Sequence, residues 1–359
     1  DGYFNTFIAS TAGGLFALQR NGSLLWSHRL GGRVMTPALV DSVLYVATNK
    51  GTAHAFDTAT GTQRWQRKYA AGVGSDAWSV TAMGGVMLVP GDTKHDDGNC
   101  VIYALNASDG STLWRFEPAA AVYNFMPAVV AGSAIFVDKT GGMYRLDLGN
   151  GKVMWQTHGY GADSFSTGGL ALSSGGQIFA TSNRDGHGVV HAHSVEDGAL
   201  LWTQSFGMEA SAAPAVIEGL GTPSIIVSLG KNPGMGGNEL VHHGMLVALD
   251  IATGAQRWSF EPPVHRGTVA AGVLKGLGSH MEAFSVPDTW SNPAVGADGT
   301  VYIGWMGGII FALDGRSGEE IARHNVGLSF QGEPAIAPGF LVVASIYKVV
   351  AFEAGAGRE

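Results

Sequence analysis

One turn recurs eight times along this 359-residue chain, and it constrains the fold more than any other feature. Each copy ends a strand-like apolar run, and six of the eight copies continue to a tryptophan. The copies are LQRNGSLLW (18–26), FDTATGTQRW (56–65), LNASDGSTLW (105–114), LDLGNGKVMW (146–155), HSVEDGALLW (193–202), LDIATGAQRW (249–258), LDGRSGEEIA (313–322) and FEAGAGRE (352–359). Successive turn glycines lie 39 to 64 residues apart, so the sequence predicts a repeat architecture.

Each repeat contains short runs rich in valine, isoleucine, tyrosine and phenylalanine, separated by glycine, aspartate and asparagine. No stretch has the 3.6-residue apolar period of an amphipathic helix, so the fold class is all-β. About 40 residues accommodate four strands, which is one propeller blade. The sequence therefore predicts an eight-bladed β-propeller of four-stranded antiparallel blades, with 1–359 as a single domain.

The two end blades are predicted to be incomplete. In chain order the first unit lacks its innermost strand and the eighth lacks its outermost strand. The chain starts at Asp1 without a methionine and stops at Glu359, where the last outer strand should begin. We expect a processed or trimmed chain.

The repeated tryptophans and turn glycines have a structural explanation. A wide indole on each outer strand can wedge between neighbouring blades, which predicts tryptophan docking motifs. A tight hairpin needs a residue that tolerates positive φ, and glycine does so without steric cost. The tryptophans assigned this role are Trp26, Trp65, Trp114, Trp155, Trp202 and Trp258.

The repeats resemble the blades of pyrroloquinoline-quinone-type propellers. The pattern is A-L-D-x-x-T-G-x-x-x-W, as in ALDIATGAQRW (248–258), followed by a strand opening of the form x-P-A-V. The openings are at Pro37, Pro127, Pro214, Pro293 and Pro334. The resemblance covers essentially the whole chain and is specific for fold. It implies either a quinoprotein dehydrogenase or a binding propeller without quinone, such as the family's outer-membrane assembly lipoprotein.

Charge and composition exclude several classes of partner. The net charge of −8 with no basic stripe argues against nucleic acid and anionic membranes. No apolar run reaches the length of a transmembrane segment. The single Cys100 rules out an internal disulfide, whereas the sequons at Asn21 and Asn106 predict glycosylation sites in two hairpin turns. We expect a secreted, periplasmic or luminal glycoprotein.

Four insertions interrupt the regular repeat and indicate the binding surface. They are residues 91–100, 183–193, 230–244 and 262–290. Connections between the second and third strands share a face with connections to the next blade, so all four are expected to rise from one face. This face is predicted to bind a protein, peptide or glycan, and the missing outer strand allows the chain to be an assembly subunit.

The insertions also contain most of the histidines, without the spacing of a metal motif. His191 and His193 share one face of a strand, whereas His242 and His243 do not. We predict no metal site and interpret these segments as polar loops that cap the channel mouth. The other histidines in the insertions are His95, His187, His265 and His280.

The inner strands of blades 3 and 7 are preceded by the related motifs DAWS (76–79) and DTWS (288–291). In an eight-bladed ring these blades face each other, so the two tryptophans are expected to flank a flat or sugar-like ligand. An alternative is that bulky residues at this register plug the axis. The predicted ligand-binding residues are Asp76, Trp78, Phe125, Phe165, Trp290, Asn292, Phe330, Gln331 and Glu333.

The dehydrogenase alternative depends on one cluster. Family enzymes use a tryptophan platform, a calcium ion held by oxygen ligands, and an aspartate as general base. The resemblance assigns these roles to Trp290, to Asn292 with Glu333, and to Asp288 as the catalytic base. The match is partial, because Cys100 cannot supply the vicinal cysteine pair of many family enzymes and calcium needs more oxygens than these residues provide.

Two functions therefore remain after the sequence alone. The favoured one is a non-catalytic propeller scaffold that recognises a protein, peptide or glycan and needs no cofactor. The alternative is a dehydrogenase of an alcohol or sugar that depends on pyrroloquinoline quinone and calcium.

Overall fold

Alternating apolar runs and glycine-rich turns give strands throughout the chain. A computed structural model describes residues 5–10, 12–74, 79–93, 98–161, 164–166, 168–210, 212–219, 221–231, 241–266, 290–326, 333–344 and 348–353. These residues form 32 strands in eight antiparallel sheets and contain no helix. Accordingly, no helix of the described part is long and apolar enough to span a membrane. The predicted eight-bladed, all-β propeller of mainly four-stranded blades is confirmed.

The chain divides into two compact units, Asp1–Leu170 and Ala171–Glu359. The first unit holds blades 1 to 4. Blade 1 contains β1 (Thr6–Ala9), β2 (Gly14–Leu18) and β3 (Leu24–Arg29), and blade 2 contains β4 (Ala38–Val40), β5 (Val43–Thr48), β6 (Thr52–Asp57) and β7 (Gln63–Lys68). Blade 3 contains β8 (Thr81–Met83), β9 (Val86–Thr93), β10 (Asn99–Asn106) and β11 (Thr112–Phe116), and blade 4 contains β12 (Ala128–Val130), β13 (Ser133–Val137), β14 (Met143–Asp147) and β15 (Val153–Gln156).

The second unit holds blades 5 to 8, apart from the first residue of β16. Blade 5 contains β16 (Leu170–Leu172), β17 (Gln177–Arg184), β18 (His187–Ser194) and β19 (Leu200–Phe206). Blade 6 contains β20 (Glu209–Ala210), β21 (Ala215–Ile217), β22 (Ser224–Lys231), β23 (Val241–Asp250), β24 (Gln256–Phe260) and β25 (His265–Arg266). Blade 7 contains β26 (Ala294–Val295), β27 (Thr300–Trp305), β28 (Ile309–Asp314) and β29 (Glu320–Asn325), and blade 8 contains β30 (Ala335–Ala337), β31 (Phe340–Ala344) and β32 (Val349–Glu353).

The hydrophobic cores lie between neighbouring blades of a unit. One cluster joins Val46 of blade 2 to Leu15 of blade 1, and another joins Ile226 of blade 6 to Phe311 of blade 7. Each proline that was predicted to open a strand lies immediately before an inner strand. Its missing N–H group costs no ladder hydrogen bond at this position.

Tryptophan docking connects the blades within each unit. Four of the five indoles are buried and that of Trp202 is half-buried, and each Nε1–H group donates to a main-chain carbonyl in the turn of the next blade at 2.9–3.0 Å. The donor and acceptor pairs are Trp26 with Thr58, Trp65 with Ala107, Trp114 with Leu148, Trp202 with Ile251, and Trp258 with Gly315. Burying an indole stabilises a fold by roughly 4 kcal/mol on an area basis, before the hydrogen bond is counted.

A small residue faces most of these tryptophans across the outer pair of strands. Alanine is opposite in five blades, at Ala17, Ala55, Ala104, Ala192 and Ala248. Arg145 is opposite Trp155 and is held by a 2.7 Å hydrogen bond from its Nε to Ser133 Oγ. The alanine of the recurring A-L-D pattern therefore makes room for the indole.

Candidate functional site

Three of the four predicted insertions begin as lengthened hairpins rather than loops. The second and third strands of blades 3, 5 and 6 have eight to ten residues, whereas those of blades 2, 4 and 7 have five or six. In blade 5 the strands pair up to Arg184 and His187, and Asp185 and Gly186 form a two-residue turn with φ values of 52° and 75°. The interpretation of 183–193 as a polar loop is therefore wrong, because an Asp-Gly turn continues the ladder.

Buried asparagines hold the turn-proximal ends of two of these hairpins. In blade 5 the Asn183 side chain accepts from Ala210 N at 2.7 Å and donates to Ala210 O at 2.9 Å. In blade 3 the Asn99 Oδ1 accepts from Gly74 N at 2.8 Å. Both asparagines are buried, so each hairpin leaves its blade in a fixed direction.

Two histidines of the blade 5 hairpin belong to a buried sheet face, whereas His187 at its tip is exposed. His191 and His193 are 4% and 3% exposed, and they share a face as predicted. Ser182 Oγ lies 2.8 Å from His191 Nε2, and the Nδ1–H of His193 donates to Gly198 O at 2.9 Å. Burial lowers the pKa of His191 to about 3, with a smaller contribution from His193. Both rings are therefore neutral at physiological pH and do not cap a channel mouth.

A second histidine pair lies in blade 6, where β25 adds a strand beside β23. His242 is directly opposite His265, and their ring centroids are 5.8 Å apart. Among the described residues no three histidine, cysteine or carboxylate groups come close enough to hold a metal ion.

Two aromatic residues predicted to bind a ligand are buried in blade cores. Phe125 is 1% exposed and packs against Phe136, while Trp290 is 4% exposed. The Trp290 ring lies 4.5 Å from that of Trp305, and its Nε1–H donates to Leu229 O at 3.0 Å. A Cβ at Gly244 would be 2.4 Å from Trp305, so glycine is needed for this packing.

The remaining predicted aromatic residue of the described chain is accessible. Phe165 is 38% exposed and its ring lies 5.4 Å from that of Tyr123. Five other predicted site residues, Asp76, Trp78, Asp288, Phe330 and Gln331, lie outside the described residues. The same holds for residues 94–97, 232–240 and 267–289 of the insertions.

Asn292 and Glu333, which the sequence placed in one cluster, do come together. Asn292 Oδ1 accepts from Ala213 N at 3.0 Å, and the Asn292 side chain hydrogen-bonds the Glu333 carboxyl group. The three residues precede the opening prolines of blades 6, 7 and 8. Desolvation raises the pKa of Glu333, and the hydrogen bond from Asn292 opposes this shift. This relay joins the inner ends of three successive blades.

The described residues do not fit a calcium–quinone site. Trp290 is enclosed by Trp305 and the backbone at Gly244, so it offers no open ring face. Asn292 Oδ1 already accepts from Ala213 N, and the Glu333 carboxyl group already accepts from the Asn292 side chain, so this pair offers few oxygens to a metal ion. Calcium takes roughly six to eight oxygen ligands.

Two aspartate–tyrosine contacts, one buried and one partly buried, were not anticipated. Asp138 accepts from the Tyr144 hydroxyl at 2.8 Å and from Thr140 and Gly142 main-chain N–H groups. Asp92, with a left-handed backbone, accepts from the Tyr103 hydroxyl. The D-x-T-G motif at Asp138 indicates a turn in the sequence. Which tyrosine contacts the aspartate depends on the strand register and could not be predicted from that motif. Both contacts lie at the turn ends of their hairpins.

The two sequon asparagines act as turn caps. Asn21 Oδ1 accepts from Ser23 N at 2.9 Å, and Asn106 Oδ1 accepts from Ser108 N at 2.9 Å. Aspartate does the same at the position equivalent to Asn106 in other blades, for example Asp57. Turn chemistry therefore accounts for both residues. Asn106 also lines a surface groove of about 410 Å³.

Comparison with known proteins identifies the same repeats in other chains. Residues 11–164, 162–272 and 242–359 match the family model described as outer membrane protein assembly factor BamB. The chain is 26% identical over 259 residues to outer membrane protein assembly factor BamB of Yersinia pestis, which covers 66% of this chain and 60% of that relative. It is 22% identical over 358 residues to a tetrathionate hydrolase of Acidithiobacillus ferrooxidans, which covers 86% of this chain and 70% of that relative. The chain thus spans less than two thirds of the Yersinia relative.

Solved structures share the fold at low sequence identity. BamB from Moraxella catarrhalis aligns with a TM-score of 0.68 and 17% identity over 97% of this chain and 92% of that one. Quinohemoprotein alcohol dehydrogenase from Comamonas testosteroni aligns with a TM-score of 0.70 and 13% identity over 99% of this chain and 73% of that one. Because the family model extends over nearly every repeat, the chain belongs to the pyrroloquinoline-quinone-type β-propeller repeat family whose model is described as outer membrane protein assembly factor BamB.

Proposed function

We propose that the chain is a non-catalytic propeller that binds another protein as a scaffold in the periplasm. The observation that carries this proposal is the set of lengthened hairpins in blades 3, 5 and 6, of which those in blades 3 and 5 are held near their turns by buried asparagines. A rigid hairpin presents its tip without the entropic cost of ordering a loop. The tip of blade 5 offers exposed Arg184 and Asp185, with side chains 58% and 82% exposed.

Family membership supports a protein partner. The relatives described as outer membrane protein assembly factors suggest an assembly subunit of the cell envelope, and a periplasmic location follows from that suggestion. A glycan partner has less support, because Phe125 and Trp290, two of the proposed stacking residues, are buried. Glycosylation at Asn21 or Asn106 is not needed for this function.

Site-specific photocrosslinking tests the proposal. A photoreactive phenylalanine replaces the exposed His187 at the hairpin tip of blade 5, in cells that naturally make the chain. The matched control carries the same residue at the exposed Glu196, in the turn at the opposite end of the same blade. We expect one discrete crosslinked protein from position 187 and none from position 196. Equal crosslinking at both positions, or none at either, contradicts the proposal.

The dehydrogenase alternative has one observation in its favour, the hydrogen bond between Asn292 and Glu333. Calorimetric titration with pyrroloquinoline quinone plus calcium, followed by a dye-linked assay on simple alcohols and sugars, distinguishes it from the scaffold. We expect no saturable heat and no turnover. Saturable binding that is lost in Glu333→Gln, with turnover, supports the dehydrogenase instead.

A further inference from the structure

We propose that β19, the outer strand of blade 5, accepts an extended and uncharged strand of a partner protein as an additional strand of its sheet. This inference rests on the proposed protein-binding function and names a surface and a partner class for it. The strand runs from Leu200 to Phe206 and is the last in the order β16-β17-β18-β19. An outer strand presents main-chain N–H and C=O groups on its free side, which is the template for strand addition.

The side chains of β19 leave this edge open to pairing. Leu200 and Leu201 are 54% and 48% exposed, and Thr203 and Ser205 are exposed as well. The strand carries no charged residue over seven positions. The register of β19 against β18 shifts at Leu201, and both leucines are exposed beside this bulge, so an added strand covers apolar surface there.

Other outer strands of the same chain are protected by charge. β7 carries Arg64, Arg67 and Lys68, and β24 carries Arg257. Charged side chains on an edge strand prevent pairing, because an incoming strand must desolvate them. β15 also lacks charge, but it has only four residues and therefore fewer main-chain groups to offer.

Two residue replacements distinguish the outer hairpin of blade 5 from the charged outer hairpins of blades 2 and 6. The sequence before the docking tryptophan is Gln-Arg in β7 and β24, and Leu-Leu in β19. Arg64 and Arg257 form ion pairs with Asp57 and Asp250, which lie seven residues earlier. The equivalent of these aspartates in blade 5 is Ser194. Both members of the ion pair are therefore absent from blade 5, and the edge is neutral on both strands of the hairpin.

The neutrality of this edge defines its occupant. A strand that carries charge meets no complementary charge along β19 and loses hydration on binding. A strand that alternates apolar and uncharged polar residues keeps its hydrogen bonds and covers the two leucines. A second copy of this chain is disfavoured because its net charge of −8 opposes association. The occupant is thus an uncharged, strand-forming segment of a different protein.

The test uses a fluorescent ten-residue peptide that alternates valine with threonine and carries a neutral oligoethylene-glycol tail for solubility. Its binding is followed by fluorescence anisotropy. The variant L200Q/L201R gives β19 the Gln-Arg sequence that blades 2 and 6 already accommodate. We expect at least a tenfold weaker affinity than for the unmodified chain. A peptide with alternate amides N-methylated is expected to lose at least tenfold as well, because it lacks the donors for one ladder.

The reciprocal variant D250S/Q256L/R257L gives blade 6 the serine and the Leu-Leu sequence of blade 5, and is the gain-of-binding control. We expect it to bind a second equivalent of peptide. Thermal unfolding of both variants confirms that the blades remain folded. Unchanged affinity in L200Q/L201R, or equal binding of the N-methylated peptide, overturns the inference.

The two proposals fail in different ways. If crosslinking from position 187 persists in L200Q/L201R while peptide binding is unaffected by that variant, the edge is not a docking site and the scaffold function stands. If the peptide binds as expected but position 187 captures no protein, the hairpin tip of blade 5 is not the binding surface. The assignment of β19 as a docking edge then still stands.

Discussion

Gly151 lies directly against the face of the Trp114 indole. Its φ is +71°, and a Cβ at this position would be 2.7 Å from Trp114 Cδ2. The same arrangement occurs between Gly318 and Trp258. Glycine is thus required at this turn position for two reasons. The backbone is left-handed, and the indole ring approaches too closely for a Cβ atom.

The first prediction separates these two requirements. Gly22 has a φ of +82°, and a Cβ added there would meet nothing within 4 Å, so Gly22→Ala measures the backbone cost alone, about 1 kcal/mol. Gly151→Ala adds a clash with a buried ring and is expected to lower the free energy of unfolding by about 3 kcal/mol. Urea unfolding monitored by tryptophan fluorescence measures both. An equal loss of unfolding free energy in the two variants means that the indole moves aside without destabilising the fold.

The second prediction concerns acid stability. Burial lowers the folded-state pKa of His191 from 6.5 to about 3. The folded state then binds fewer protons than the unfolded state between these values, so stability is complete above pH 6.5 and falls as the pH falls towards 3. Between pH 6.5 and 5 this single group costs about 2 kcal/mol. His191→Gln is expected to flatten the pH dependence of unfolding by that amount.

His187→Gln is the matched control for this experiment, because His187 is exposed on the same strand. It shows what replacing an exposed histidine by glutamine does to stability by itself. An unaltered slope in His191→Gln shows that the buried ring does not remain neutral.

The third prediction tests the buried Asp138–Tyr144 contact. The Tyr144 hydroxyl donates to Asp138 at 2.8 Å and accepts from Ala119 N at 2.9 Å. Tyr144→Phe leaves a buried carboxylate short of a donor and a main-chain N–H without an acceptor, which costs about 3 kcal/mol. Tyr45→Phe is the control, because no hydrogen bond of the Tyr45 hydroxyl occurs among the described residues. If the two variants have equal stability, the contact contributes nothing.

The fourth prediction concerns the relay at the inner ends of blades 6 to 8. Asn292→Ala removes the hydrogen bond that lowers the pKa of Glu333, so this pKa rises. Asn292→Asp adds a neighbouring negative charge and raises it further. Carbon-13 NMR titration of the Glu333 carboxyl group, assigned with Glu333→Gln, gives the order wild type, Ala, Asp. A Glu333 pKa that is the same in all three chains contradicts the contact.

Local signals predicted the blades well. The turn with its glycine and tryptophan marks the outer hairpin, and the proline before Ala38 or Ala128 marks the inner strand. These features are local because each depends on a few consecutive residues. The Asp185-Gly186 dipeptide also signalled a two-residue hairpin, and reading the segment as a loop was an avoidable error.

The candidate site was less predictable, because its residues depend on packing between blades. Phe125 and Trp290 have the composition of ligand platforms, but whether a ring faces an opening or a neighbouring blade is set by partners such as Phe136 and Trp305. Asn292 and Glu333 lie within hydrogen-bond distance because they occupy the same position before a proline in successive repeats. Periodicity locates equivalent positions, and tertiary contacts decide their exposure.

The docking tryptophans recognise a main-chain carbonyl, not a side chain. The acceptor residue is threonine at 58, leucine at 148 and isoleucine at 251, yet the hydrogen bond is 2.9 Å in each case. A blade therefore fits any successor that keeps the turn geometry, whatever its sequence elsewhere. Copies of a blade produced by gene duplication are compatible with their neighbours from the start, and their remaining surface is free to diverge towards new partners.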